Sequence, residues 1–185
     1  MFFDVGAGIL LSILISWYFK LKLTFFIVMS GITFSLLPDI DFIIEFLRHK
    51  SVGGKVIREH REITHYPLAY IPVIILALVL FGKIWALLFV LSIFFHFLHD
   101  SIGIGWGIKW LYPFSKKSYK FFSEKDGRFS KKFIVTWGPE ELTKTVELYG
   151  DPDWIRNIYL KPSPIFITEF LLFLISVLIL IIYFY

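Results

Sequence analysis

The chain has 185 residues, 57% of them hydrophobic and 20% aromatic, a surplus over the ~45–50% apolar share of soluble domains that excludes an ordinary soluble domain and long disordered tracts. Nineteen Lys and Arg against 15 Asp and Glu leave a net charge of +4, which in so apolar a chain suits basic loops beside an anionic membrane better than a nucleic-acid surface. No cysteine is present, so disulfide scaffolds, thiolate zinc sites and Cys nucleophiles are excluded, and any metal must be held by His, Asp or Glu.

In chain order, apolar stretches run over 5–19, 23–37, 66–81, 84–98 and 165–185. Only the last reaches the ~20 residues of a full span. Runs such as 72–80 and 86–95, however, are apolar on every helical face, and a chain this small cannot bury so many such helices away from solvent. The expectation is an all-α integral membrane bundle of about five apolar helices, some of them tilted or in thinned bilayer. Asp4 precedes the first stretch, with no basic residue before it and no small-residue cleavage site after it, so that helix reads as retained rather than as a signal peptide. If every stretch spans, the second and fourth connections share 16 of the Lys and Arg, against three on the opposite side. By the positive-inside rule the N-terminus and both large connections are expected in the cytoplasm of a prokaryotic cell.

The fourth connection begins with a run rich in Gly and Trp (Gly103, Gly105, Trp106, Gly107, Trp110). A basic aromatic patch follows (Lys116, Lys117, Tyr119, Lys120, Phe121, Phe122), and then Gly138-Pro139-Glu140-Glu141. Pro followed by acids opens a helix that Gly150 closes. This region is expected to form a small, mostly helical cytoplasmic cap whose aromatics and lysines enter lipid headgroups, with no nucleic acid involved. The organisation expected is a membrane-embedded core at 1–115, the cap at 116–164 and a last transmembrane helix at 165–185.

Three polar clusters interrupt the apolar pattern, all at helix ends on the basic side. In Leu37-Pro38-Asp39-Ile40-Asp41, Pro38 is expected to stop the second helix and to open the next, with both aspartates in its first turn. Asp41, Glu45 and His49 then recur along one face. The next cluster, Glu59-His60-Arg61-Glu62-Ile63-Thr64-His65, brings its histidines together only if the segment is irregular. In His96-Phe97-Leu98-His99-Asp100, His96 and Asp100 share a helical face, and ionisable groups at such depth need a partner or a watery cavity.

Mixed imidazole and carboxylate donors suit zinc first, with manganese or iron as alternatives. Such an ion would activate water and polarise a phosphoryl oxygen. Arg61 stands ready for an anionic substrate, and His99, Glu62 or Glu59 for proton transfer.

The same residues carry a family resemblance. Leu36-Leu37-Pro38-Asp39-Ile40-Asp41, His60-Arg61-x-x-Thr64-His65, His96-x-x-x-Asp100 and the Gly-rich run into Leu111-Tyr112-Pro113-Phe114-Ser115 resemble the YdjM-like family over about the first three fifths of the chain. That family is described as LexA-binding, inner-membrane-associated metal-dependent hydrolases. The resemblance implies an integral membrane protein and metal-dependent hydrolysis, with Asp39, Asp41, His60, His65, His96 and Asp100 as the matching polar positions. Phe42 stands where the family often has His, Glu62 where Gly is common, and His99 where an apolar residue is expected. No feature here suggests binding a repressor.

The function expected is therefore a membrane-bound metal-dependent hydrolase acting on a phosphoester or lipid-linked substrate at the cytoplasmic surface. The alternatives are a metal-ion or proton transporter, whose path should leave polar groups distributed across the membrane, and a non-enzymatic scaffold. Nothing in the sequence specifies an oligomeric state.

Overall fold

The computed structural model describes residues 1–49 and 63–184, except for the side chains of 45, 46, 48, 49 and 63. Its helices are α1 (Phe2–Tyr18), α2 (Phe25–Leu36), α3 (Ile40–His49), α4 (Ile71–Ile102), α5 (Pro139–Tyr149), α6 (Trp154–Ile158) and α7 (Pro164–Phe184). Strands β1 (Ser118–Ser123) and β2 (Phe129–Trp137) complete it. Two compact units emerge: Met1–Pro38, Ile71–His96 and Pro164–Tyr185 in one, Asp39–Tyr70 and Phe97–Ser163 in the other.

The first unit is built from apolar helices that approach through small residues. A Cβ on Gly8 of α1 would stand 2.7 Å from the carbonyl of Gly31 on α2, so the backbones meet directly, as small residues allow in membrane helix pairs. Beside that crossing the Ser12 hydroxyl donates to the Gly8 carbonyl of its own helix (2.8 Å) and to the Ile27 carbonyl of α2 (3.1 Å). Gly6 lies close against α7, where a Cβ would stand 2.8 Å from the Leu172 side chain and 3.3 Å from the Phe173 backbone. Phe2 seats its ring among Phe166, Phe170 and Phe173, with centroids 5.3–5.8 Å away. Leu11 and Ile15 of α1 bury with Leu88 of α4, flanked by Ile84, Trp85 and Phe95.

Among the described residues, three helical runs are long and apolar enough to cross a membrane, Phe25–Ile44, Pro67–Ile102 and Pro164–Phe184, and Phe2–Tyr18 is a shorter apolar helix. The third and fourth apolar stretches of the sequence both fall in α4, which breaks at Gly82 (φ +81°, ψ 175°) into runs 71–81 and 83–102. Only glycine enters that conformation without a steric penalty. Where about five apolar helices are expected, the described residues show three long runs, one of them interrupted at Gly82, and the shorter α1.

Pro38 also acts differently from expectation. Leu37 keeps helical angles and the chain tightens into a 3-10 turn, Leu37–Asp39, before α3 opens at Ile40. Asp39 closes that turn, and only Asp41 lies in the first turn of α3.

In the second unit the mostly helical cap is corrected by an antiparallel hairpin. Its register pairs Ser118 with Trp137, Lys120 with Val135 and Phe121 with Ile134, and a bulge follows before Ser123 meets Phe129. Asp126-Gly127 turns the hairpin, with Gly127 at φ +86°, a dipeptide suited to that geometry. Phe121 stacks on Phe133 across the strands at 5.8 Å, the kind of cross-strand pair that stabilises a sheet. Trp137 is fully buried and meets Trp106 edge-on at 6.1 Å. Lys120 is buried as well, and its ammonium donates to the carbonyls of Gly103 and Gly105, tying the Gly-rich run to β1. The helix expected from Pro139 to Gly150 is α5, bounded as the sequence suggests.

Candidate metal centre

Within the second unit, three aspartates surround one histidine. Asp39 comes from the 3-10 turn, Asp41 from the first turn of α3, His65 from the end of a second 3-10 turn (Ile63–His65) and Asp100 from the last turns of α4. His65 Nδ1 lies 3.1 Å from Asp41 Oδ2, and its Nε2 lies 3.1 Å from Asp100 Oδ2 and 3.6 Å from Asp39 Oδ1. The Thr64 hydroxyl donates to the same Asp41 oxygen at 2.5 Å.

Aromatic packing and hydrogen bonds hold this arrangement. The Tyr70 hydroxyl donates to the Thr64 carbonyl (2.9 Å), and the Tyr70 ring rests edge-on against Phe97 at 5.5 Å. Trp110 Nε1 donates to Ser101 Oγ at 2.8 Å, fixing the loop after α4 beside that helix's end. Tyr66 stacks on Tyr112 at 4.1 Å.

Access to the cluster is graded. The side chain of His65 is fully buried, Asp100 and Asp41 are 7% and 16% exposed, and Asp39 is 32% exposed. Burial pulls the His65 pKa down, yet hydrogen bonds to Asp100, Asp39 and Asp41 outweigh it and hold the imidazole well above its usual 6.5. The charge of three neighbouring carboxylates is thereby partly met by a proton on His65. A divalent cation would meet it more fully, and the oxygen and nitrogen donors are of the type zinc, manganese and iron take. This His/Asp cluster could hold a metal ion.

In the first unit a buried polar group involves His96. Its Nδ1 lies 3.0 Å from Asp4 Oδ1, and both side chains are 1% exposed. The Met1 nitrogen is 2.9 Å from Asp4 Oδ2 and 3.7 Å from Glu169 Oε2, with Glu169 5% exposed. Neither Asp4 nor Glu169 stands among the candidates taken from the sequence. The available signal was a carboxylate in the first turn of an apolar helix, a costly placement when buried.

Of the sequence candidates, Asp39, Asp41, His65 and Asp100 converge. His96 precedes Asp100 by one turn on α4, a spacing that puts the two on one helical face. His99 is partly buried, and its ring lies 3.3 Å from where a Cβ on Gly103 would stand. Glu59, His60, Arg61 and Glu62 lie outside the described residues, as do the side chains of Glu45 and His49.

The model of the YdjM inner membrane protein family matches residues 4–185. The chain belongs to that family. This YdjM match extends beyond the motifs of the first three fifths to include the hairpin, α5 and α7. No curated protein and no solved structure matches the chain. Inner-membrane residence agrees with the three long apolar runs, so the bilayer is one partner of this YdjM-family chain.

Proposed function

We propose that this YdjM-family protein is a metal-dependent hydrolase of the prokaryotic cytoplasmic membrane, acting on a phosphoester or lipid-linked substrate at the cytoplasmic face. The observation that carries the reading is the gathering of three carboxylates on one sealed imidazole, an arrangement whose electrostatic cost a divalent cation relieves. Asp39 and His65 offer donor atoms within the second unit, with Asp41 and Asp100 at hand as further ligands or as partners that orient His65, and the sequence motif adds His96 as a candidate. Zinc is the first candidate, ahead of manganese and iron. A bound ion would supply Lewis-acid activation of water and of the scissile bond.

The chain's own groups then divide the remaining work. Asp41 engages His65 Nδ1 and leaves Nε2 to the side of Asp39 and Asp100. Asp39, the most exposed member, is the first that an incoming substrate meets. His99, beside Asp100, and Glu62 are the candidates for moving the proton. His60 adds a ligand, and Arg61 receives the substrate's anionic group. The excess of Lys and Arg in the second and fourth connections supports a cytoplasmic orientation for the site.

Metal analysis of the purified protein beside an Asp39→Ala, His96→Ala variant tests the core of this reading. The parent should retain metal that the variant lacks, and equal content in both would sink the assignment. A second reading, transport of an ion or proton, draws on Ser16, Ser35 and Ser92, whose fully buried hydroxyls have no hydrogen-bond partner among the described residues. Flux into proteoliposomes that is absent from protein-free vesicles would favour it.

A further inference from the structure

We propose that the break of α4 at Gly82 opens a binding site for one anionic phospholipid, with an acyl chain in the cavity beside the break and the phosphate on Lys20, Lys22 and Lys83. The proposal is independent of the metal reading, since every residue it uses belongs to the first unit.

A cavity of about 290 Å³ lies at this end of the first unit. Ile15 of α1, Leu21 of the connection that follows, Ile27 of α2, and 81–85 with Leu88 of α4 line it. The backbone accounts for the opening. At φ +81° and ψ 175° Gly82 takes angles that are essentially confined to glycine, and a Cβ added there would meet nothing within 4 Å. The glycine is thus needed to interrupt the helix and not to let a neighbour close in, which leaves space beside it. An apolar cavity of about 150 Å³ takes up benzene, so a cavity of roughly twice that volume takes a stretch of acyl chain on the order of ten carbons.

Charge specifies the other end of the ligand. Lys20, Lys22 and Lys83 are the only Lys or Arg in the stretches that compose the first unit, and all three stand at this cavity, Lys83 in its wall and the other two on either side of Leu21. The unit's two carboxylates, Asp4 and Glu169, lie within 2.9 and 3.7 Å of the Met1 nitrogen, at the far end of α1. The negative charge that the lysines call for therefore has to come from a ligand. Exposed aromatic side chains mark the depth of the mouth: Trp17 and Tyr18 end α1, and Phe25 and Phe26 begin α2. Trp and Tyr settle at the headgroup level of a bilayer, where a phospholipid phosphate stands and where lysine stems extend over apolar surface to reach it.

The test reconstitutes the full chain in nanodiscs holding equal amounts of phosphatidylglycerol and phosphatidylcholine, releases it into mild detergent and counts the retained lipids by native mass spectrometry. The wild type should keep one phosphatidylglycerol in about tenfold preference to phosphatidylcholine. Lys20→Gln, Lys22→Gln and Lys83→Gln combined should bring that ratio close to one, and the three arginine replacements should preserve it. Leu21→Trp and Ile84→Trp fill the cavity from two different walls without touching the charges, and each should lose the retained lipid whatever its headgroup.

A wild type that keeps a neutral lipid in its place, or no lipid, overturns the proposal. So does an unaltered ratio in the triple glutamine protein, and so does a lipid retained undiminished in both tryptophan variants.

Discussion

Replacing Gly8 by Ala probes the helix crossing on which the first unit depends. The new Cβ would stand 2.7 Å from the Gly31 carbonyl and from Ile32 Cα, whereas carbon atoms rest at about 3.5 Å or more. Helices α1 and α2 must therefore part by roughly 0.8 Å. That movement takes the Ser12 hydroxyl from 3.1 Å to nearly 4 Å from the Ile27 carbonyl, outside hydrogen-bonding range. The lost bond accounts for about 0.6 kcal/mol in a membrane setting, and crowding a packed contact adds about 1–3 kcal/mol. Alanine's better helix propensity returns up to about 1 kcal/mol. The net expectation is a loss of roughly 0.6–3.6 kcal/mol. Reversible unfolding in mixed detergent micelles measures it. A cycle with Ser12→Ala should come out less than additive, because both changes remove the same hydrogen bond. A Gly8→Ala protein as stable as the parent would refute the reasoning, since the close approach would then be absent.

Further outcomes concern the second unit. Because carboxylates hold the His65 pKa above its usual value, metal uptake should displace a proton, and affinity should rise with pH by up to about tenfold per unit near neutrality. The sign reverses for the stability of the metal-free protein: the His65 contribution is complete below about 6.5 and is lost as pH climbs through the raised value, as melts at stepped pH will show. Lys120→Ala leaves the Gly103 and Gly105 carbonyls without their ammonium and should cost about 1–3 kcal/mol, read from the unfolding midpoint followed by Trp fluorescence. Tyr70→Phe removes the bond to the Thr64 carbonyl. It should lower stability by about 1 kcal/mol and weaken metal binding a few-fold, read from a Co(II) titration followed by visible absorption.

Much of the candidate centre was legible because its signals are local. Asp39 and Asp41 stand beside Pro38, a residue that punctuates helices wherever it falls, and Asp100 interrupts an apolar run. His65 was legible as a candidate but not its placement, since the 3-10 turn that delivers it has no periodicity to read. Asp4 was illegible as a partner of His96 because the pairing arises only when α1 and α4 pack. Glu169 was hidden for the same reason, sitting in the most apolar stretch of the chain. The hairpin was missed despite a readable Asp126-Gly127 turn, because the aromatic residues flanking it serve equally well as interfacial anchors and as strand formers. Gly82 separated the third and fourth apolar stretches in the sequence, and the backbone does break there.

The order of exposure in the cluster, from Asp39 through Asp41 and Asp100 to a sealed His65, has a kinetic meaning beyond its electrostatics. A ligand set open on one side exchanges its cargo in sequence rather than at once. For a cation held by this cluster, entry and exit would begin at the outermost carboxylate, and the innermost nitrogen would be the last contact to break. Changes at Asp39 would then alter the rate of exchange of a bound cation as well as its affinity. A small chelator that reaches Asp39 strips such a site faster than a bulky one of equal strength, a difference in rate alone that reports the depth of the imidazole.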